Sequence, residues 1–244
     1  MRTLLVDERG DRVVVRLHRP DARNAIDAEM VGELHQVCGL LEGDPRPLLL
    51  TGGDGVFAAG ADIGELLLRG RDEALQGINS TLFERIRRLP MPTVAAVDGY
   101  ALGGGAELAY ACDLRVASTR AVFGNPEPNL GIIAGAGACW RLKELVGEPL
   151  AKLVLLAGHR IDAAEAKDCR LVSEVCEPAE LEARAHALID RMAKASAAAL
   201  RLTKLVLDAP PQAHPAVDHL AQAVLFEDPE KHARMQKFLD KGAS

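Results

Sequence analysis

Two carboxylates and two glycine-rich loops are the residues of this chain whose types and spacing could do chemistry. Glu107 follows three successive glycines, Gly103, Gly104 and Gly105, within VAAVDGYALGGGAELAYACD at residues 94–113. Glycines at a strand-to-helix switch let a ligand approach backbone N–H groups that a side chain would shield. A carboxylate about one turn further on sits beside whatever those amides hold. Its neighbours Ala106, Leu108, Ala109 and Ala111 give Glu107 no solvated face. Burial and a shifted pKa are therefore predicted, against the solvated position usual for Glu. Glu127 stands between Pro126 and Pro128, which fix the backbone on both sides of it. That fits a rigidly held functional carboxylate and a simple surface turn equally well. The second loop, TGGDGVFAAGADIGELL at residues 51–67, also follows an apolar run. Two such loops at matching strand ends can each aim one N–H at an oxygen that gains charge. Each donor of that kind contributes roughly 3 kcal/mol to a transition state.

The elements that must position these groups alternate between strand and helix. Apolar residues 4–6 and 13–15 flank Arg9-Gly10-Asp11 and read as a hairpin. Asp27 is placed to cap a helix carrying Met30, Val31, Leu34, Val37, Cys38 and Leu41 on one face, stopped by Gly43 and Pro45. Residues 48–51 form a short buried strand, and helices are predicted at 62–69 and 72–89, divided by Gly70 and closed by Pro90 and Pro92. A strand at 93–97 then leads into a helix at about 103–111, with further strands at 113–117 and 121–123. A long loop enters another helix near Gly137. From about residue 149 the pattern is helical, at 149–157, 162–167, 178–194, 196–208, 214–226 and 229–240, with a β-like break at 171–175. The expected organisation is an α/β core over 1–190 and a helical region over 191–244.

Composition removes several classes of function. A net charge of −6 with no basic run, together with 3% aromatic residues, argues against nucleic acid as a partner. The first residues meet charge at once, and no apolar run approaches the ~18 residues of a membrane span. No membrane partner is expected. The five cysteines are widely spaced with no C-x-x-C, so reduced thiols and a cytoplasmic location are expected. There is no G-x-S-x-G, H-E-x-x-H or G-x-x-x-x-G-K-[ST], and Leu108 stands where a dinucleotide fingerprint starting at Gly103 needs its third glycine. The seven histidines are scattered, so no metal site is expected.

Taken together, RPDARNAI (19–26), GVFAAGADI (55–63), DGYALGGGAELAYACDLRVA (98–117), NPEPNLGIIAGAGACWRL (125–142) and LVLLAGHRIDAAEAKDCRLVSEV (153–175) resemble the crotonase superfamily of enoyl-CoA hydratases and isomerases. The resemblance runs over nearly the whole chain. It implies a crotonase-like spiral of ββα units with a C-terminal helical trimerisation region, assembled as a homotrimer or a homohexamer. It also implies that the N–H groups of Ala61 and Gly104 form an oxyanion hole, and that Glu107 and Glu127 flank a water. The substrate would be a trans-2-enoyl-CoA, with no metal or redox cofactor. The CoA moiety would lie near Ala22, Ala59, Asp62 and Ile63, and Phe238 and Lys241 match positions that reach a neighbouring subunit's CoA. The implied chemistry is hydration through a thioester enolate. An isomerase moving a double bond is the nearest rival, and a non-catalytic acyl-CoA binder is a third reading. One departure stands out: the family usually has G-A-G-G-T-Q-R-L where this chain has GAGACWRL at 135–142, and often a proline at the position of Ala134. Trp140 either packs in the core or lines the acyl pocket, where it would shorten or redirect the acyl chain.

Overall fold

The computed structural model describes residues 1–53 and 55–242, the last two of these by their backbone alone. The chain opens as an antiparallel hairpin of β1 (Leu4–Glu8) and β2 (Val13–Leu17), whose alternation turns Val13, Val15 and Leu17 inward. In α1 (Ala28–Gly43), the Asp27 side chain accepts from the Met30 N–H at 2.8 Å, and the apolar face expected from spacing is buried. There follow β3 (Leu48–Thr51), β4 (Val56–Ala58), α2 (Ile63–Leu68), α3 (Arg71–Gln76) and α4 (Ile78–Arg87). Next come β5 (Thr93–Val97), β6 (Tyr100–Leu102), α5 (Gly104–Ala111), β7 (Leu114–Ser118) and β8 (Val122–Gly124). Then α6 (Ala138–Val146), α7 (Glu148–Ala157), β9 (Ile161–Asp162), α8 (Ala163–Asp168), β10 (Glu174–Cys176) and α9 (Leu181–Met192) complete this part.

The strands form two sheets, one of six in the order β1-β2-β3-β5-β7-β10 and one of four in the order β4-β6-β8-β9. From β2 onward the large sheet is parallel, and so are β4, β6 and β8. Each repeat therefore runs a strand in the large sheet, a short strand in the small one, and a helical return. This is the spiral of ββα turns. The large-sheet strands β3 and β5 are buried on both faces, as parallel strands covered by helices must be.

Two differences from the sequence pattern have physical causes. The helix expected over 72–89 is two helices, because Gly77 takes a left-handed conformation (φ 62°) that ends α3 and begins α4. The strands β4 and β6 are three residues each and lie inside the two stretches that read as glycine-rich loops, which hides them in the sequence pattern.

The chain divides into two compact units, Met1–Leu188 and the remainder from Ile189, with the boundary inside α9. The second unit comprises α10 (Ala197–Leu207), α11 (Ala216–Phe226) and α12 (Pro229–Gly242). Ser196 caps α10 and also donates to Glu230 at 2.7 Å, while Arg234 donates to the Lys194 carbonyl at 2.8 Å, tying α12 to the start of α10. Among the described residues, no helix is long and apolar enough to cross a membrane.

One carboxylate locks successive turns of the spiral together. Asp98, at the corner between β5 and β6, accepts from the Gly55 N–H (2.9 Å), Ser118 Oγ (2.6 Å) and Arg120 Nε and Nη2 (2.8 and 2.6 Å). Burial alone would raise its pKa, but the hydrogen bonds from Arg120, Ser118 and Gly55 hold it down to about 2. A carboxylate depressed in the fold adds stability that is complete above its unfolded pKa and lost as pH falls through its folded one. The Asp98→Asn variant is expected to lose about 2 kcal/mol near neutral pH, with the deficit shrinking from about pH 4 towards pH 2. Urea unfolding of both proteins across that range checks this, and a deficit that stays constant with pH would contradict the assignment.

Candidate active site

Pairing of β4 with β6 sets the two glycine loops side by side, since each loop leaves the end of its strand. The start of α5 then presses directly onto β4. A Cβ on Gly105 would stand 2.3 Å from the Ala58 carbonyl oxygen, so only glycine permits the contact. Gly103, at φ 50°, makes the turn from β6 into α5. The result is a close approach of two amides: a Cβ on Gly104 would lie 3.3 Å from the Ala61 nitrogen. Both N–H groups are without a protein acceptor among the described residues. Ile26 donates to the Gly60 carbonyl (2.8 Å) and Asp62 donates to the Ile26 carbonyl (3.0 Å), a ladder that skips the Ala61 N–H. Gly104 opens α5, where the first N–H groups have no intrahelical acceptor.

Both carboxylates converge on the same turn. Glu107 is buried on α5, and its Oε1 accepts from the Ala136 and Ala138 N–H groups at 2.8 and 3.0 Å. Burial pushes its pKa up to about 7, with the charge of Glu127 adding to the rise and the Ala138 and Ala136 amides opposing it. Glu127 is also buried, in a 3-10 turn at Glu127–Leu130 that starts after Pro126. This decides the question left open by the Pro-Glu-Pro sequence: the carboxylate is not on a surface turn. A Cβ on Gly103 would meet Glu127 Oε1 at 3.0 Å, so the carboxylate packs against the glycine turn itself. Burial raises the Glu127 pKa, opposed by its own backbone N–H and by Asn125, whose Nδ2 lies 3.5 Å from Oε1. Glu127 Oε2 is buried with no hydrogen-bond partner. The arrangement offers two neighbouring, acceptor-free donors for an oxygen gaining charge, beside two carboxyl groups that resist ionisation together.

The remaining expected residues fall in three places. Ala22, Ala59, Asp62 and Ile63 lie on one loop pair, joined where Ala59 donates to the Arg23 carbonyl at 3.1 Å. Ala59 and Ile63 are exposed, but the Asp62 carboxylate is occupied by the α2 cap and by Arg19 at 3.3 Å. Trp140 is not a core residue: it is 46% exposed on α6, where it lines a cavity of about 780 Å³ that reaches Glu107. The Arg87 guanidinium lies 5.6 Å from its ring centroid. Phe238 is exposed on α12, in the second unit, and the Lys241 side chain falls outside the described residues.

Three asparagines escaped the reading of the sequence. Asn24, buried, donates to the Val56 and Phe57 carbonyls (3.2 Å each) and so pins the first loop to β4. Asn125 accepts from the Tyr110 hydroxyl at 3.4 Å and faces Glu127. Asn79, on α4, lies against Gly104. The first two sit inside quoted motifs, RPDARNAI and NPEPNLG, where attention to charge passed over them. Nothing in the residues around Asn79 marks it.

The sequence model of the enoyl-CoA hydratase/isomerase family matches residues 9–243. A short-chain-enoyl-CoA hydratase of Clostridium acetobutylicum is 37% identical over 215 residues, covering 85% of this chain and 82% of its own length. A solved enoyl-CoA hydratase from Bacillus anthracis superposes with a TM-score of 0.92 at 30% identity, over 98% of this chain and 96% of that one. An enoyl-CoA hydratase from Thermoplasma volcanium superposes with a TM-score of 0.88 at 33% identity, over 97% of each chain.

A buried Glu with a raised pKa makes stability depend on pH in the sense opposite to Asp98. Its contribution is complete below the ordinary value of 4.5 and is lost as pH rises through about 7. The Glu107→Gln variant, which cannot ionise, should therefore be more stable than the parent at pH 8 by about 3 kcal/mol, with the gap closing towards pH 5. Denaturant midpoints at the two pH values measure it. A variant less stable at pH 8 would show that the carboxylate is not strained by burial.

Proposed function

The chain belongs to the enoyl-CoA hydratase/isomerase family, and we propose that it is an enoyl-CoA hydratase, adding water to a trans-2-enoyl-CoA to give the 3-hydroxyacyl-CoA. The observation that carries this reading is the pair of buried carboxylates with raised pKa values, set beside two backbone amides that lack a protein acceptor. A proton shuttle needs only one such carboxylate; holding a water takes two.

In this reading the thioester carbonyl accepts from the Ala61 and Gly104 N–H groups. Negative charge gathers on that oxygen as water adds at Cβ, and pre-aimed donors stabilise it without reorganising. Glu107, with Oε1 held by Ala136 and Ala138, uses its other oxygen to orient and polarise the water. Glu127 delivers a proton to Cα, its Oε2 being the carboxylate oxygen without a partner. The water's oxygen and one of its protons end on Cβ, and its second proton returns to the carboxylate pair, so the cycle closes. A Glu107 pKa of about 7 suits a pair that holds one proton near neutral pH. The CoA arm runs over Ala22, Ala59, Asp62 and Ile63, and the reading calls on no metal or redox cofactor.

Crotonyl-CoA is expected to lose its conjugated absorbance when mixed with the protein. Glu107→Gln and Glu127→Gln should each slow that loss by a factor of about a hundred or more. Conversion of a 3-enoyl-CoA with no hydration would replace this reading by the isomerase one, and binding without turnover would leave an acyl-CoA binder.

The same proposal includes assembly into trimers or paired trimers. Helices α10–α12 expose Leu205, Leu207, Leu220, Val224, Phe238 and Leu239, and apolar patches of that kind are what subunit contacts cover. Phe238 would then reach a neighbouring subunit's CoA. A cytoplasmic setting fits five cysteines of which none is in a disulfide. Light scattering should give three or six times the chain mass; a monomer at micromolar concentration would refute the assembly.

A further inference from the structure

The side chain of Asn79 packs beside Gly104. It sits in the first turn of α4, and its Nδ2 is 3.6 Å from the point where a Cβ on Gly104 would stand. The same point is 3.3 Å from the Ala61 nitrogen. The point beside the Gly104 Cα where a side chain would begin is therefore bordered by two nitrogens that carry N–H groups, one from the backbone and one from a side-chain amide.

The rest of the amide is poorly provided for. Asn79 Oδ1 is buried and has no hydrogen-bond partner, and among the described residues Nδ2 makes no hydrogen bond to the protein either. A buried polar atom left unmet costs on the order of 1–3 kcal/mol, and folded proteins leave few of them. An apolar side chain of similar volume would avoid that cost. Asparagine here holds no turn, caps no helix and bridges no pair of elements. A ligand oxygen beside Gly104 would give Nδ2 an acceptor, while Oδ1 would stay unmet.

We infer that Asn79 is a third donor to the thioester oxygen, a catalytic side chain acting with the Ala61 and Gly104 amides. The inference rests on the hydratase reading above. As the enolate forms, charge on that oxygen rises, and a neighbouring donor gains strength in the transition state relative to the ground state. The amide is neutral and its two N–H groups can rotate onto the oxygen through χ1 and χ2, so it adds stabilisation without adding a competing charge.

The test compares the parent protein with Asn79→Leu and Asn79→Ala. With crotonyl-CoA, kcat is expected to fall about tenfold to a hundredfold while KM moves less than threefold. Binding gives a second readout: affinity for acetoacetyl-CoA, whose enolate is read by its ultraviolet absorbance, should fall in step with kcat, and affinity for the neutral butyryl-CoA should not. Unfolding midpoints of Asn79→Leu should equal or exceed those of the parent, which a structural asparagine would not allow. If the parent hydrates crotonyl-CoA and both variants keep kcat within twofold, the inference falls and the hydratase reading stands. If the parent hydrates no enoyl-CoA, the hydratase reading falls and takes the kinetic argument with it. The enolate then decides the donor alone: equal weakening for enolate and neutral thioester overturns it. Should Asn79→Leu fail to fold, Asn79→Ala supplies the same ratios.

Discussion

The missing Cβ of Gly105 is the contact on which the site depends. Helix α5 can begin at the end of β6 only by lying against β4, and a side chain there would overlap the Ala58 carbonyl. That contact fixes the helix start, which fixes the first free N–H of the helix beside the loop that leaves β4. Parallel pairing of β4 with β6 makes the two loops neighbours, and the absence of a Cβ makes them near enough to serve one oxygen. The small sheet is thus a device for bringing together two segments more than forty residues apart in sequence.

Once the loops meet, the surrounding packing imposes the electrostatics. Every residue of α5 is buried, so the Glu107 carboxylate loses its water whatever it does chemically. Two backbone amides at the start of α6 compensate one of its oxygens, and the proximity of Glu127 removes part of that gain. The site is therefore strained towards holding a proton, a state that a surface pair of glutamates would not reach. Asp98 is the contrast within the same molecule. It is also buried, yet surrounded by four donating contacts, and it is held far below the ordinary carboxylate range. Desolvation acts on both and more strongly on Glu107; the Arg120 guanidinium beside Asp98 and the Glu127 carboxylate beside Glu107 then push the two in opposite directions.

Much of this is legible in the residues. The apolar spacing of α1, the Gly-rich turns and the isolation of Glu107 in an apolar helix each state a local requirement, and each is met. What is not legible is set by contacts between segments. β4 and β6 are three residues long and are enclosed by glycine-rich loops, and the break at Gly77 depends on a left-handed turn that the residues around it do not announce. Trp140 was ambiguous because α6 has few buried positions, Ala138 and Leu142, and only the fold shows that the indole lies off them, beside Arg87. The three asparagines are the sharper case. An amide carries no charge and has no periodicity, so its partners are visible only when the loops are in place.

Polar satisfaction offers an independent route to the same place. Among the described residues, three buried side-chain atoms lack a hydrogen-bond partner: Arg46 Nε, Asn79 Oδ1 and Glu127 Oε2. Arg46 Nε still lies 3.2 Å from Asp44 Oδ2, close enough for its charge to be answered. The other two belong to side chains that pack on Gly103-Gly104, Glu127 through its Oε1 and Asn79 through its Nδ2. Leaving buried polar atoms unmet on two side chains that pack against one turn does not serve its stability. The acceptor-free amides of Ala61 and Gly104 fall in the same few ångströms. The acceptor-free amides and the Glu127 carboxylate, which packs on Gly103, stand around this turn without pairing with one another, and a polar ligand with a carbonyl to receive and a proton to exchange would answer both.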